Sequence, residues 1–180
     1  MPLDPNRWTL KTQEAVSAAI DLARTRHHPE VTPEHLLAVL LGQEDGVVLP
    51  TLTKAGVAPL TLRNRTESAL AKLPNAYGGS EPRLSRETRD ALDAADNERS
   101  QFGDEYLSTE HILLALTDLA RAAGSGVDLG VSREDLLAVL QEVRGSHRVT
   151  TQNPEETYQA LERYGRDLTQ AAKAGKLDPV

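Results

Sequence analysis

The sequence predicts an all-α protein with two pseudo-symmetric repeats of about four helices each, followed by a linker helix. One observation is a duplicated pattern in which Thr or Ser shortly precedes Glu-His and a run of aliphatic residues; His35 and His111 occupy it 76 positions apart. Repetition at a fixed spacing indicates one scaffold built twice. A second observation is that only six of the 180 residues are aromatic, so Leu, Val, Ile and Ala must form the core, which favours packed helices over a β-sandwich.

The first repeat is predicted to span about residues 9–73. Its first helix begins after Thr9, and its second begins after Thr32, where Pro33 at the first helical position loses nothing by lacking an N–H. The second helix is apolar nearly all round, which predicts a central, buried position. A shorter helix at about 50–54 and a fourth at about 59–72 complete the repeat. A loop rich in turn residues then joins the repeats.

The second repeat is predicted to span about residues 85–145. Its helices begin after Ser85, Ser108 and Ser132 as N-caps. Gly124 and Gly126 disfavour a helix at the position of the third helix, so a loop or a shortened helix is expected there. The repeat domain is therefore assigned to residues 1–148.

Residues 149–180 are assigned to the linker helix, because the composition changes after the second repeat. Asn153, Pro154 and Glu156 form a capping signature for a long helix that is polar except for one stripe. The members of that stripe are Tyr158, Leu161, Tyr164 and Leu168.

Composition and charge argue against several classes of protein. The chain has no Cys, which excludes disulfides, thiolate zinc sites and cysteine nucleophiles. Its net charge is −7 with Lys and Arg dispersed, whereas nucleic-acid binding needs a basic face. No apolar stretch approaches the ~20 residues that cross a bilayer, and no signal peptide is recognised. We therefore expect a soluble, cytoplasmic, monomeric protein without nucleic-acid or membrane partners.

The Glu-His pairs are the strongest candidates for chemistry, and a helical zinc site would need two His one turn apart. Each helix has only one His, and His35 and His111 fall at the capping-box position of a helix start. A small metal-dependent enzyme using either His is the weaker hypothesis. Adjacent His27 and His28 are expected in a solvated turn. We predict no catalytic site, no metal and no cofactor.

Three stretches resemble a known family: the doubled "T-x-E-H-hydrophobic" helices, "GQEDG", and "FGDEYLSTEHILLAL". They are similar to the N-terminal repeat domain of Clp-family AAA+ chaperones. The end of the chain, from "GSHRVTTQNPEETYQAL" to "KLDPV", is similar to the segment that joins this domain to the first ATPase module in ClpB-type disaggregases. The resemblance implies a substrate-binding domain that precedes ATPase modules using ATP and Mg²⁺ in a homohexamer, with a DnaK-type chaperone as partner. An adaptor-docking domain of a ClpA- or ClpC-type unfoldase is the alternative.

The resemblance also implies residues that act on unfolded or aggregated client polypeptides. They match Thr9, Asp104 and Glu110 in this sequence, although Thr9 and Glu110 also suit helix starts and Asp104 a turn or cap. A groove between the repeats, with acidic rims that favour basic clients, is the expected binding surface.

Overall fold

The computed structural model describes residues 4–79, 81–123, 127–145 and 147–154. The first repeat contains the four predicted helices, after a short 3-10 turn at Pro5–Arg7. These are α1 (Leu10–Thr25), α2 (Pro33–Leu41), α3 (Val48–Lys54) and α4 (Pro59–Ala71).

The second repeat contains α5 (Arg86–Phe102), α6 (Thr109–Ala123) and α7 (Arg133–Arg144). Residues 124–126, where the doubtful helix was expected to be interrupted, lie outside the described residues, and 127–132 contain no helix. Within the described residues the second repeat therefore has three helices. Its central helix α6 has 15 residues, against 9 in α2.

The predicted N-caps start their helices as expected. The side chain of Thr9 accepts a hydrogen bond from Thr12 N–H, that of Ser85 from Thr88 N–H, and that of Ser132 from Asp135 N–H, at 3.1–3.2 Å. Each cap satisfies one of the N–H groups that a helix start leaves without an intrahelical partner.

Two backbone carbonyls join the repeats reciprocally. Leu107 O, just before α6, accepts bonds from Thr9 N–H and Thr12 Oγ1, both at 2.9 Å. The carbonyl 76 positions earlier, Val31 O before α2, accepts bonds from Ser85 N–H at 3.0 Å and Thr88 Oγ1 at 2.7 Å. Each repeat thus holds the start of the other repeat's first helix, and we call Leu107 O and Val31 O the anchor carbonyls.

Short parallel strand pairs follow the same symmetry and were not predicted. β1 (Glu30–Val31) pairs with β2 (Arg83–Leu84), with Val31 opposite Leu84. The equivalent contact in the other half is a parallel bridge between Trp8 and Leu107. The bulk of the fold remains helical.

The two central helices supply much of the buried core. Most aliphatic side chains of α2 and α6 are buried, as predicted for α2, and α2 packs against α1, α4 and α6 while α6 packs against α5 and α7. The buried members are Leu36, Leu37, Leu40, Leu41, Ile112, Leu113, Leu114 and Leu116.

The start of the predicted linker packs against the repeats. Glu105 N–H donates to Val149 O at 2.8 Å, and Leu10 N–H donates to Gln152 O at 2.7 Å. Val149 is fully buried. The predicted linker helix beyond Pro154 lies outside the described residues, and the boundaries of repeats and linker stay predictions.

Replacing Thr88 with Val should lower the free energy of unfolding by about 1–2 kcal/mol, because Val31 O loses a buried hydrogen-bond donor. Chemical denaturation checks this. The control is Thr53→Val, at an exposed position of α3. Equal stability of the two variants would show that the second anchor carbonyl needs no side-chain donor.

Candidate functional site

Asp104 is brought into the interior by the turn that ends α5. Gly103 adopts a left-handed conformation (φ 71°), which favours glycine, and Asp104 is then 2% exposed. Its carboxylate accepts four hydrogen bonds from protein groups. The donors are His111 Nε2 (2.7 Å), Arg144 Nη1 (3.0 Å), Arg144 Nη2 (2.7 Å) and Val149 N–H (2.9 Å).

His111 joins the start of α6 to this carboxylate. Ser108 N–H donates to His111 Nδ1 at 2.8 Å, which is the capping-box contact that the spacing predicted. Because Nδ1 is an acceptor, the proton of the neutral ring lies on Nε2, which donates to Asp104. His111 is fully buried, so its role here is to orient the carboxylate.

The pKa of Asp104 lies well below its ordinary value. Burial opposes ionisation, but the hydrogen bonds from His111, Arg144 and Val149 N–H, together with the charge of Arg144, outweigh it. The carboxylate is therefore ionised at neutral pH. Its stabilising contribution is complete above its ordinary pKa of 3.8 and is lost only as the pH falls below that value.

Glu110 is a second fully buried carboxyl group close to the same guanidinium. Ser108 Oγ donates to Glu110 Oε2 at 2.8 Å, and Arg144 Nη1 lies 3.7 Å from Glu110 Oε1. No described residue donates a hydrogen bond to Oε1. We call Asp104, Glu110, His111 and Arg144 the Asp104 cluster.

Thr9 lies outside this cluster and is connected to it through the chain before α6. It is fully buried, and its N–H is bonded to the anchor carbonyl of Leu107. The structure thus brings Asp104 and Glu110 together through Arg144, while Thr9 acts at the start of α1. None of the three side chains is exposed in this conformation.

Arg144 is the member of the cluster that the sequence did not reveal. It occupies the last turn of α7, where a basic residue is ordinary because it interacts favourably with the helix dipole. Its main partner, Asp104, lies 40 residues earlier in the chain. Helical and capping patterns connect residues only a few positions apart, so they could not predict this pair.

A surface groove adjoins the cluster, and we call it the α7 groove. It has a volume of about 280 Å³ and includes Phe102, Leu137 and Leu140 on its apolar side and Arg148 and His147 among its exposed residues. Arg144 forms part of its wall, with Cζ 5.3 Å from the centre of the Phe102 ring. The exposed charge on this groove is basic, because Asp104 and Glu110 are buried and Arg148 is exposed. The groove with acidic rims between the repeats stays a prediction.

The first repeat has a histidine where the second has Asp104. Thr32 N–H donates to His35 Nδ1 at 2.9 Å, and the other ring nitrogen of His35 lies 2.8 Å from His28 Nδ1. The same geometry thus recurs 76 positions apart, with a neutral acceptor replacing a carboxylate. His28 is 5% exposed, so the prediction that it lies in a solvated turn was wrong.

The two histidines of the first repeat are held in the neutral form. Burial, followed by the positive charge of Arg26, lowers the pKa of His28. Burial, with smaller contributions from His28 and Arg26, lowers the pKa of His35 to about 4. A proton on His35 Nδ1 would also remove the acceptor of Thr32 N–H.

No group of three or more metal-ligating side chains that could hold a metal ion occurs among the described residues. No helix in the same part of the chain is both long and apolar enough to cross a membrane.

Replacing Asp104 with Asn should destabilise the protein by about 3 kcal/mol, because Arg144 would keep a buried charge without its carboxylate. Hydrogen exchange of the Val149 amide should accelerate as well. Denaturant unfolding and exchange measured by NMR check both effects, with Asp93→Asn on the exposed face of α5 as control. An unchanged stability would show that Arg144 is neutralised by another group.

Acidification should weaken the protein through the His28–His35 pair. The pKa of His35 is lowered from 6.5 to about 4, so the unfolded chain takes up the proton first as the pH falls. The contribution is complete above about pH 6.5 and should fall by roughly 1–3 kcal/mol on approaching pH 4. Unfolding free energies measured between pH 7.5 and 4 test this.

The matched variant is His28→Asn, whose side-chain oxygen can accept from His35 without titrating itself. It should reduce the loss of stability at acidic pH, whereas the exposed His147→Asn should behave as the parent. If all three proteins lose stability in parallel, the pair does not cause the pH dependence.

Comparison with known proteins places the fold and sequence in one family. The family model for the Clp repeat (R) N-terminal domain matches residues 7–126. Chaperone protein ClpB of Mycobacterium tuberculosis (strain H37Rv) is 45% identical over 183 residues, covering 99% of this chain and 21% of that protein. ClpB 1 of Synechococcus elongatus is 41% identical over 181 residues, with the same coverage. The chain thus spans about a fifth of the length of these relatives.

The N-terminal domain of Hsp104 from Candida albicans has a similar fold. Its crystal structure gives a TM-score of 0.69 at 22% identity, covering 82% of this chain and 98% of that one. The duplicated helix starts and the reciprocal anchor carbonyls are thus found in a chain that belongs to the Clp repeat N-terminal domain family and is similar in sequence to ClpB chaperones.

Proposed function

We propose that this chain is the N-terminal substrate-binding domain of a ClpB-type disaggregase. It helps capture unfolded or aggregated polypeptide for ATP-driven threading by a full-length hexamer. The observation that carries the proposal is the α7 groove, a preformed surface at the end of the second repeat that combines apolar side chains with polar and charged ones. Similarity to ClpB chaperones over 99% of the chain supports it.

The α7 groove suits a short apolar segment of a client. Its volume of about 280 Å³ accommodates one or two aliphatic or aromatic side chains, each of which gains about 1.5–3 kcal/mol when fully buried. Because few directional contacts are available on Phe102, Leu137 and Leu140, binding is weak and tolerant of sequence. Arg148 on the groove favours clients with acidic residues beside the apolar ones.

Thr9, Asp104 and Glu110 act on clients by shaping this surface. Asp104 fixes Arg144 and Val149, which positions the groove wall and the segment beside it. Glu110 supplies further negative charge to Arg144. Thr9 holds the start of α1 against Leu107, three residues after Asp104. All three are positioning residues in this proposal, because none is exposed.

The remaining partners follow from the proposed parent. ATP and Mg²⁺ would bind its ATPase modules, and this domain needs no cofactor of its own. A DnaK-type chaperone would cooperate with the hexamer in the cytoplasm. The isolated domain is a monomer.

The test is an NMR titration of the protein with an unstructured peptide that contains Leu, Phe and Glu. Amide shifts should cluster at Phe102, Leu137, Leu140 and Arg148. Arg148→Ser should weaken binding about two- to fivefold, since an exposed charge pair is worth up to roughly 1 kcal/mol. Asp104→Asn should weaken it as well by loosening the groove wall.

The matched control is Lys72→Ser, which removes an exposed cation far along the chain from the groove. It should leave the affinity unchanged. Shifts spread evenly over the surface, or an equal loss of affinity in the Arg148 and Lys72 variants, would reject the α7 groove as the client site.

A further inference from the structure

The start of the predicted linker shows how this fold holds a second segment of polypeptide. Residues 149–152 cross from the turn after α5 to the start of α1. Val149 O accepts from Glu105 N–H at 2.8 Å, and Gln152 O accepts from Leu10 N–H at 2.7 Å. The side-chain amide of Gln152 also donates to Trp8 O at 3.3 Å. The segment thus lies across the first turn of α1, and we call this surface the linker groove.

The elements that form the linker groove recur 76 positions away. The turn after α5 contains Gly103 at φ 71°, and the turn after α1 contains His27 at φ 59°. The N–H of the next residue donates to a carbonyl of the preceding helix in both turns. Asp104 N–H donates to Arg99 O at 3.0 Å, and His28 N–H donates to Ala23 O at 2.8 Å. The strand pairings before α1 and α5 correspond too. A second copy of the groove must therefore lie across the first turn of α5.

This second copy is open. A depression of about 580 Å³ lies between β1, β2 and the first turns of α5. The loop between the repeats contacts the turn after α1, where Ala76 N–H donates to His27 O at 2.7 Å. Arg86 occupies the position of Leu10, and its N–H has no acceptor among the described residues. We call this surface the arginine groove, lined by Pro29, Glu30, Arg83, Leu84, Arg86 and Arg89.

The arginine groove differs from the linker groove in its charged side chains: it gains two arginines and also two carboxylates, Glu30 and Asp93, where the linker groove has Tyr106 and Ser17. Arg86 and Arg89 replace Leu10 and Gln13, and Arg83 precedes them on β2. All three arginines are exposed, and no ion pair within the described residues involves any of them. Exposed guanidinium groups at this spacing can bind carboxylates through paired hydrogen bonds.

We propose that the arginine groove binds a short acidic segment of another polypeptide. The segment crosses the first turn of α5 as residues 149–152 cross that of α1. One backbone carbonyl accepts from Arg86 N–H, and acidic side chains pair with Arg83, Arg86 and Arg89. Glu30, Asp90 and Asp93 also line the groove, so a segment with one or two acidic groups fits better than a polyacidic one.

Pro29 sets a second difference between the two grooves. Pro29 is the counterpart of Glu105, whose N–H donates to Val149 O in the linker groove. A proline has no N–H to donate. The occupant therefore gains fewer backbone bonds than the linker does and depends more on its charges. Binding is accordingly weak, reversible and sensitive to salt.

The experiment is an NMR titration of the whole chain with two acetylated, amidated pentapeptides, Val-Thr-Glu-Asp-Gln and its uncharged match Val-Thr-Gln-Asn-Gln. The acidic peptide should bind at least fivefold more tightly, with the Arg86 amide among the signals that shift most. Replacing Arg86 and Arg89 together with Gln should reduce its affinity at least fivefold. Asp90→Asn should tighten binding about twofold by removing a competing charge.

Lys72→Gln, which removes an exposed cation outside both grooves, is the matched control and should leave binding of the acidic peptide unchanged. The position of the shifts separates the inference from the proposed function, because the two grooves share no residue. Equal affinity for the two peptides, shifts centred on Phe102 and Leu137, or an unchanged affinity in the Arg86 and Arg89 variant would each overturn it.

Discussion

The structure depends on the two anchor carbonyls, Leu107 O and Val31 O, because each repeat satisfies polar groups of the other. Each accepts a backbone and a side-chain donor from the first turn of the opposite repeat's leading helix. A buried carbonyl or N–H without a partner costs on the order of 1–3 kcal/mol. Separating the repeats would therefore leave polar groups unpaired in both halves at once. The two repeats must therefore fold as one unit, although each has its own set of helices along the sequence.

A single position makes the two halves structurally different. The ring at the start of each central helix needs an acceptor seven residues earlier, which is His28 in one repeat and Asp104 in the other. Neutral His28 completes its own pair, whereas the charge of Asp104 also requires Arg144 and the Val149 N–H. In the second repeat, α7 and the start of the linker are therefore both bonded to the turn after α5, through Asp104. The α7 groove forms where these elements meet. The first repeat has a neutral acceptor, His28, and no equivalent of Arg144.

Local patterns predicted the helices well because capping and periodicity are local. The starts after Thr9, Thr32, Ser85, Ser108 and Ser132 follow from residue types within three positions of each start. The sequence could not indicate β1 and β2, since two-residue strands have no pattern, and it could not pair Arg144 with Asp104. The resemblance indicated Asp104 and Glu110 but not their burial, because the side chain of α7 that both contact, Arg144, is distant in sequence. His28 was misjudged because its contact with His35, seven residues later, spans the turn before α2 and follows no helical or strand spacing.

Burying charge beside a weak binding surface has a physical rationale. Two carboxylates and one guanidinium cost desolvation energy, and apolar side chains of equal volume would often be as stable. Apolar replacements at Asp104 and Arg144, however, would leave Val149 N–H and the His111 Nε2–H without acceptors. The cluster therefore fixes the direction in which the chain leaves α7 before any client is present. Under the proposed function, a groove that is already shaped would use none of its small binding energy to order its own walls, so burial of one or two client side chains would be enough.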